Sequence, residues 1–105
     1  QNKTDEEVAR YIQSKDQEMY FVIVDRYKSK LLRYINSIVR DQAKTTDVLQ
    51  ETFIKAFIKI ESYNPNKRFK PWIIKICKNT FIDSFRKRNR NHKLQRSKRF
   101  LKLSG

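Results

Sequence analysis

The chain has 105 residues, a length that fits one domain with one modest core. It carries 25 Lys and Arg against 11 Asp and Glu, a net charge of +14, with one Gly, two Pro, one Cys and one His. So few turn-formers predict an all-α fold, a compact bundle of about four helices joined by short connections, and the lone Cys77 excludes an internal disulfide.

Thr4-Asp5-Glu6-Glu7 is a capping box that opens a short first helix running to about Lys15, with Val8, Tyr11 and Ile12 on one face. Asp16 caps a second helix, whose apolar positions Met19, Tyr20, Ile23, Val24, Tyr27, Leu31, Ile35, Ile38 and Val39 step by three and four. The polar run 40–46 interrupts the pattern. A third helix is expected from about Asp47 to Glu61, burying Leu49, Phe53, Ala56, Phe57 and Ile60. Residues 62–68, Ser-Tyr-Asn-Pro-Asn-Lys-Arg, are the strongest loop signal. Pro71 suits the first turn of a fourth helix, with Trp72, Ile73, Ile76, Cys77, Thr80, Phe81 and Phe85 inward. That helix is expected to reach about Asn91. From Arg86 to Lys102 nine of seventeen residues are basic, so residues 92–105 are expected as a weakly ordered basic tail or the start of a linker. Residues 1–91 then form the domain. Gln1 is not a natural start and Ser104-Gly105 is an arbitrary end, so an excerpt of a longer chain is expected.

The charge is unevenly placed. Residues 1–61 hold eleven basic and ten acidic side chains, while residues 62–105 hold fourteen basic ones and only Asp83. This asymmetry points to a polyanionic partner on one side. No apolar run approaches the roughly 20 residues that span a bilayer, and no basic-then-apolar leader is present, so no membrane contact and a cytoplasmic location are expected.

Catalytic chemistry finds little support. One His and one Cys do not make a zinc site of the usual kinds. Gly105 is the only glycine, so a phosphate-cradling loop is excluded. His92 lies in a run of like charge with nothing to position it. Cys77 falls at a core-facing helical position, as a structural thiol does. No enzymatic activity, metal or cofactor is expected.

Two surfaces remain. Asp47, Gln50, Glu51 and Ile54, at i, i+3, i+4 and i+7, share one helix face. The spacing alone favours acids placed for the helix macrodipole over a docking face for another helix. The second surface is the 62–70 loop together with the fourth helix. Tyr63 and Phe69 stand beside Lys67, Arg68 and Lys70, an arrangement that can stack unpaired bases and hold phosphates, or can simply be core packing under a loop. Lys75, Lys78, Asp83, Arg86, Lys87 and Arg90 tend outward on the fourth helix, and Lys75, Lys78, Arg86 and Arg90 can follow a backbone. Asn79 offers a donor and an acceptor to a base edge.

The order Asp47-x-x-Gln50-Glu51-x-Phe53, a short polar loop, Phe69-x-x-Trp72-x-x-x-Ile76-x-x-Asn79, then Asp83-x-x-Arg86-Lys87 resembles region 2 of the extracytoplasmic-function sigma factors of bacterial RNA polymerase, over residues 5–91. Phe21, Tyr27, Leu31 and Tyr34 resemble the long first helix of that region. The resemblance implies that Asp47, Gln50, Glu51 and Ile54 dock on the clamp helices of the polymerase's largest subunit, which reverses the preference drawn from spacing. It implies that the loop, with Tyr63, Asn64, Asn66, Lys67, Arg68 and Phe69 and with Asn79 at its base, captures a base flipped from the non-template strand of the promoter −10 element. Arg86, Lys87, Arg88 and Arg90 would then contact the DNA upstream, and an anti-sigma factor is an expected partner. Pro71 and Asn66-Lys67-Arg68 make this loop individual, and the −35-reading domain of such factors is absent from these residues. A general nucleic-acid-binding helical module and a protein-interaction domain without DNA binding are the alternatives.

Overall fold

In a computed structural model, residues 3–104 are described, with side chains for residues 3–86. Helices α1 (Asp5–Ser14), α2 (Tyr20–Asn36), α3 (Gln42–Lys59) and α4 (Phe69–Ser104) make an all-α fold, with one-turn 3₁₀ segments at Gln17–Met19 and Ile60–Ser62. No strand occurs among the described residues. α3 packs on both α2 and α4, and α1 lies across α2 and the turn after α3.

The helix starts are locally encoded. The Glu7 N–H donates to Thr4 Oγ1 at 3.1 Å and the Thr4 N–H donates to Glu7 Oε1 at 2.8 Å, which closes the capping box of α1. Asp16 Oδ1 accepts from the Glu18 N–H at 3.0 Å and so caps the 3₁₀ turn Gln17–Met19, not α2, which begins at Tyr20 without a side-chain cap. Pro71 sits in the first turn of α4, where a missing N–H costs nothing. α4 continues to Ser104, past the expected limit near Asn91; no Gly or Pro lies between Pro71 and Gly105 to stop it.

α3 differs from expectation. It begins at Gln42, five residues before Asp47, because Asp41 Oδ1 accepts from the Lys44 N–H at 3.3 Å and starts the helix inside the polar run. Its buried residues are Thr45, Val48, Thr52 and Ala56. Leu49 and Phe53 are only partly buried, and Phe57 is 39 % exposed. Small side chains let α3 lie close to its neighbours, and the Thr52 hydroxyl is satisfied by donating to the Val48 carbonyl at 2.7 Å.

The core runs along Ile23, Tyr27, Leu31 and Ile35 of α2 and continues through Phe69, Ile73, Ile76 and Cys77 of α4. Near the α3–α4 connection it is aromatic. Phe69 packs against Tyr27, Tyr63 and Trp72 at ring separations of 5.5, 5.3 and 5.3 Å. Phe85, expected inward, is 38 % exposed and rests edge-on against Phe81.

Candidate nucleic-acid interface

The face of α3 carrying Asp47, Gln50, Glu51 and Ile54 is exposed, with Ile54 at 60 %. Since α3 starts at Gln42, Asp47 lies in its second turn and Glu51 in its third, and the first turn holds no acid. The macrodipole acts on the terminal turn, so it does not account for these acids. Ile58, one turn beyond Ile54, is 69 % exposed and extends the apolar part of this face. The step from Ile54 to Ile58 is an i,i+4 repeat that stands outside the expected buried stripe. Lys55 bridges the two helices behind the face, 3.2 Å from Glu51 and 3.7 Å from Asp83 of α4.

The loop is a fixed structure. Asn64 Oδ1 accepts from the Asn66 N–H at 3.0 Å, and the Asn64 carbonyl accepts from the Lys67 N–H at 2.9 Å. The Tyr63 hydroxyl donates to the Lys67 carbonyl. Three residues of α1 hold the loop from outside. Gln13 Nε2 donates to the carbonyls of Ile60 and Tyr63, each at 2.7 Å. Arg10 donates to Asn66 Oδ1 at 3.0 Å, and Glu6 Oε2 accepts from the Phe69 N–H at 2.7 Å. Glu6, Arg10 and Gln13 are spaced by four and three, so one polar face of α1 faces the loop.

Tyr63 and Phe69 do not serve as open stacking platforms in this arrangement. Tyr63 is 4 % exposed and Phe69 is fully buried. Their rings are used in the aromatic core, and burial together with the nearby Glu6 and Asp5 charges pushes the Tyr63 hydroxyl pKa upward. Core packing under the loop, the alternative left open by the sequence, is the one observed.

The expected single loop pocket divides in two. Asn79 is exposed and opens onto a groove of about 340 Å³ between α3 and α4, flanked by Lys55, Lys59, Asp83 and Arg86. Among the described residues the Asn79 side-chain amide has no hydrogen-bond partner. Asn66, Lys67 and Arg68 line a different cleft, against α1 and α2, and share no lining residue with the Asn79 groove. Lys55 and Lys59 were not anticipated; they sit on α3 opposite Asn79, a proximity that only the packing of α3 on α4 creates. Asn64, Lys75 and Lys78 are exposed. The side chains of Lys87, Arg88 and Arg90, expected to contact DNA, lie outside the described residues, as does the side-chain chemistry of segment 92–105.

The family model for Sigma-70 region 2 matches residues 23–91. The chain is 31 % identical to the extracytoplasmic-function sigma factor SigW of Bacillus subtilis over 81 % of its own length and 46 % of that protein's. It is 40 % identical to SigM of the same organism over 62 % of its length and 39 % of that protein's. It thus spans less than half the length of these curated relatives. Among solved structures, an engineered region 2 of sigmaE in complex with GTAAAA is similar at a TM-score of 0.79 and 28 % identity, covering 87 % of this chain and 95 % of that one. CnrH in complex with the cytosolic domain of CnrY is similar at a TM-score of 0.70 and 25 % identity, covering 75 % and 51 %. The match over two thirds of the residues, in a fold shared with the sigmaE domain, makes this chain a member of the Sigma-70 region 2 family, on the branch of the extracytoplasmic-function sigma factors.

Proposed function

We propose that the chain docks on core RNA polymerase through the Asp47–Ile54 face of α3 and recognises the promoter −10 element at the junction of α3 and α4. The observation that carries the DNA half of this reading is Asn79: an exposed amide with no internal partner among the described residues, set in a groove between Lys55, Lys59 and Arg86. A base that leaves the stack offers its edge to that amide, and Lys59 and Arg86 hold the adjoining phosphates, while Lys55 stays paired with Glu51 and Asp83. Tyr63 and Phe69 act by shaping the loop beside the groove. Lys75, Lys78, Arg86, Lys87, Arg88 and Arg90 follow the strand and the upstream duplex along α4. Residues 1–91 serve as the binding unit, with 92–105 as the basic lead into a linker.

The similarity to a sigmaE region 2 held with GTAAAA supports the DNA partner, and the similarity to CnrH held by CnrY supports an anti-sigma partner. The activity is binding in the cytoplasm, with no catalytic step. A fluorescence-anisotropy titration with single-stranded GTAAAA, the same sequence as duplex, and an Asn79→Ala variant tests the reading. Asn79→Ala is expected to weaken single-strand binding about tenfold, in line with ~1–3 kcal/mol for a lost base contact, with little change on duplex. Equal affinity of wild type and variant for the single strand refutes base capture at Asn79.

A further inference from the structure

The loop has a second side, and the cleft there shares no lining residue with the Asn79 groove or with the Asp47–Ile54 face. It measures about 560 Å³, within the range of ligand sites. Its less exposed members are already matched: Arg26 pairs with Asp5 at 2.8 Å, and the Tyr27 hydroxyl donates to the other Asp5 oxygen at 2.5 Å. Glu6, the other acid of the lining, accepts from the Phe69 N–H at 2.7 Å. The exposed cations of the lining are Lys30, Lys67, Arg68 and Lys70, beside the neutral Thr4 and Asn66, and none of the four has an acidic partner within ion-pair distance among the described residues. Lys30 is steadied over the Tyr27 ring, 5.2 Å from its centroid. The loop cations are carried on backbone fixed by the Asn64 turn and by Arg10. Four such cations around one concavity focus a positive potential and need little reorganisation to meet an anion.

We infer that this cleft is a phosphodiester site, which holds the single strand on the far side of the loop from the base at Asn79. This rests on the proposed capture of a base at Asn79. A strand fits better than a free nucleotide because one short loop joins the two places. Lys59 borders the Asn79 groove, and Lys67, Arg68 and Lys70 border the cleft, so a chain of phosphates that crosses the loop meets cations at both ends. The strand continues past one end of the captured hexamer and not the other.

The test compares single-stranded GTAAAA with the same hexamer carrying six added nucleotides on its 5′ or its 3′ side, titrated over a range of salt. One extension is expected to raise affinity and to steepen the salt dependence by about 0.7 in log K per log salt for each phosphate engaged. The other extension adds little. Lys30→Gln removes about one such increment on the productive extension and leaves hexamer binding within about twofold; Lys30→Arg restores it. Equal gains from both extensions overturn the site, as does a loss in Lys30→Gln that is the same on hexamer and extended strand. Saturable binding of dAMP that depends on Lys30, without any gain from extension, overturns the strand in favour of a free nucleotide. Failure of base capture shows separately: GTAAAA then binds no better than a permuted hexamer of the same composition, while the effect of extension is still read.

Discussion

Gln13 of α1 and Tyr63 of the α3–α4 connection, fifty residues apart in sequence, are joined by a 2.7 Å hydrogen bond from the Gln13 amide to the Tyr63 carbonyl. The same amide nitrogen donates to the Ile60 carbonyl at 2.7 Å. One side chain thus ties together the Ile60 carbonyl, which opens the 3₁₀ turn after α3 and also accepts from the Tyr63 N–H at 3.1 Å, and the Tyr63 carbonyl just past that turn. α1 lies outside the matched residues 23–91, and through this contact it shapes the loop that those residues present.

Gln13→Glu is expected to destabilise the fold more than Gln13→Ala. A carboxylate accepts hydrogen bonds and cannot donate to either carbonyl, so it places two acceptors against a charge. The Ile60 carbonyl keeps its bond from the Tyr63 N–H, while the part-buried Tyr63 carbonyl loses its donor; leaving one such group unsatisfied costs ~1–3 kcal/mol, which thermal unfolding monitored by circular dichroism will resolve. Equal or greater stability of the glutamate variant would show that the amide is not the donor.

Phe69→Ala is expected to lower stability by ~3–5 kcal/mol, the usual cost of removing a buried aromatic ring. The ring is fully buried against Tyr27, Tyr63 and Trp72. Tyr63→Phe keeps the ring and loses only the bond to the Lys67 carbonyl, so it should cost about 1 kcal/mol. DNA binding by this variant, measured well below its unfolding temperature, should remain close to wild type. A large and selective loss of single-strand affinity in Tyr63→Phe, with the melting temperature unchanged, would return Tyr63 to direct DNA contact.

Much of the fold is local chemistry and is legible as such. Thr4 and Pro71 mark helix starts, and Asp16 marks the 3₁₀ turn that leads into α2, through bonds to, or constraints on, residues within one turn. The four-residue stripe Ile23, Tyr27, Leu31 and Ile35 is buried as its spacing requires. α3 departs from expectation because its inner face, Thr45, Val48, Thr52 and Ala56, includes two hydroxyl-bearing residues and one small one that give a weak hydropathy signal. Its cap, Asp41, is hidden in a polar run. The clamp of Glu6, Arg10 and Gln13 is illegible because each partner is 47 to 63 residues away. Closeness in sequence puts Asn79 and the loop cations in one pocket, yet α4 and the loop turn them toward different clefts.

Asp47→Ala with Gln50→Ala is expected to weaken binding to core polymerase by about 2 kcal/mol, roughly thirtyfold, and to leave the melting temperature unchanged. Both side chains are exposed, and neither makes an internal hydrogen bond among the described residues. Ile58→Ser should weaken the same interaction, because Ile58 lies one turn beyond Ile54 on this face and is 69 % exposed. Affinity capture of core enzyme at a series of concentrations measures both. An unchanged double variant removes the docking role from this face.

Alkaline pH should unfold the domain through its buried phenols. Burial raises the pKa of Tyr27, and donation of its hydroxyl to Asp5 raises it further; burial alone raises that of Tyr20, whose hydroxyl donates to the Phe53 carbonyl. In the unfolded chain these groups titrate near pH 10. Below that pH they are protonated in both states, and their contribution to stability is fully present. Above it the unfolded chain loses protons that the folded chain keeps, so stability falls steadily as pH rises toward the folded values. Melting temperatures should therefore be flat on approach to about pH 10 and decline beyond it. The phenolate absorbance of Tyr20 and Tyr27, assigned with Tyr20→Phe and Tyr27→Phe variants, should appear together with the loss of helical circular dichroism. Phenolate formation at both positions while the helix signal stays intact would show that neither hydroxyl is held as the buried contacts require.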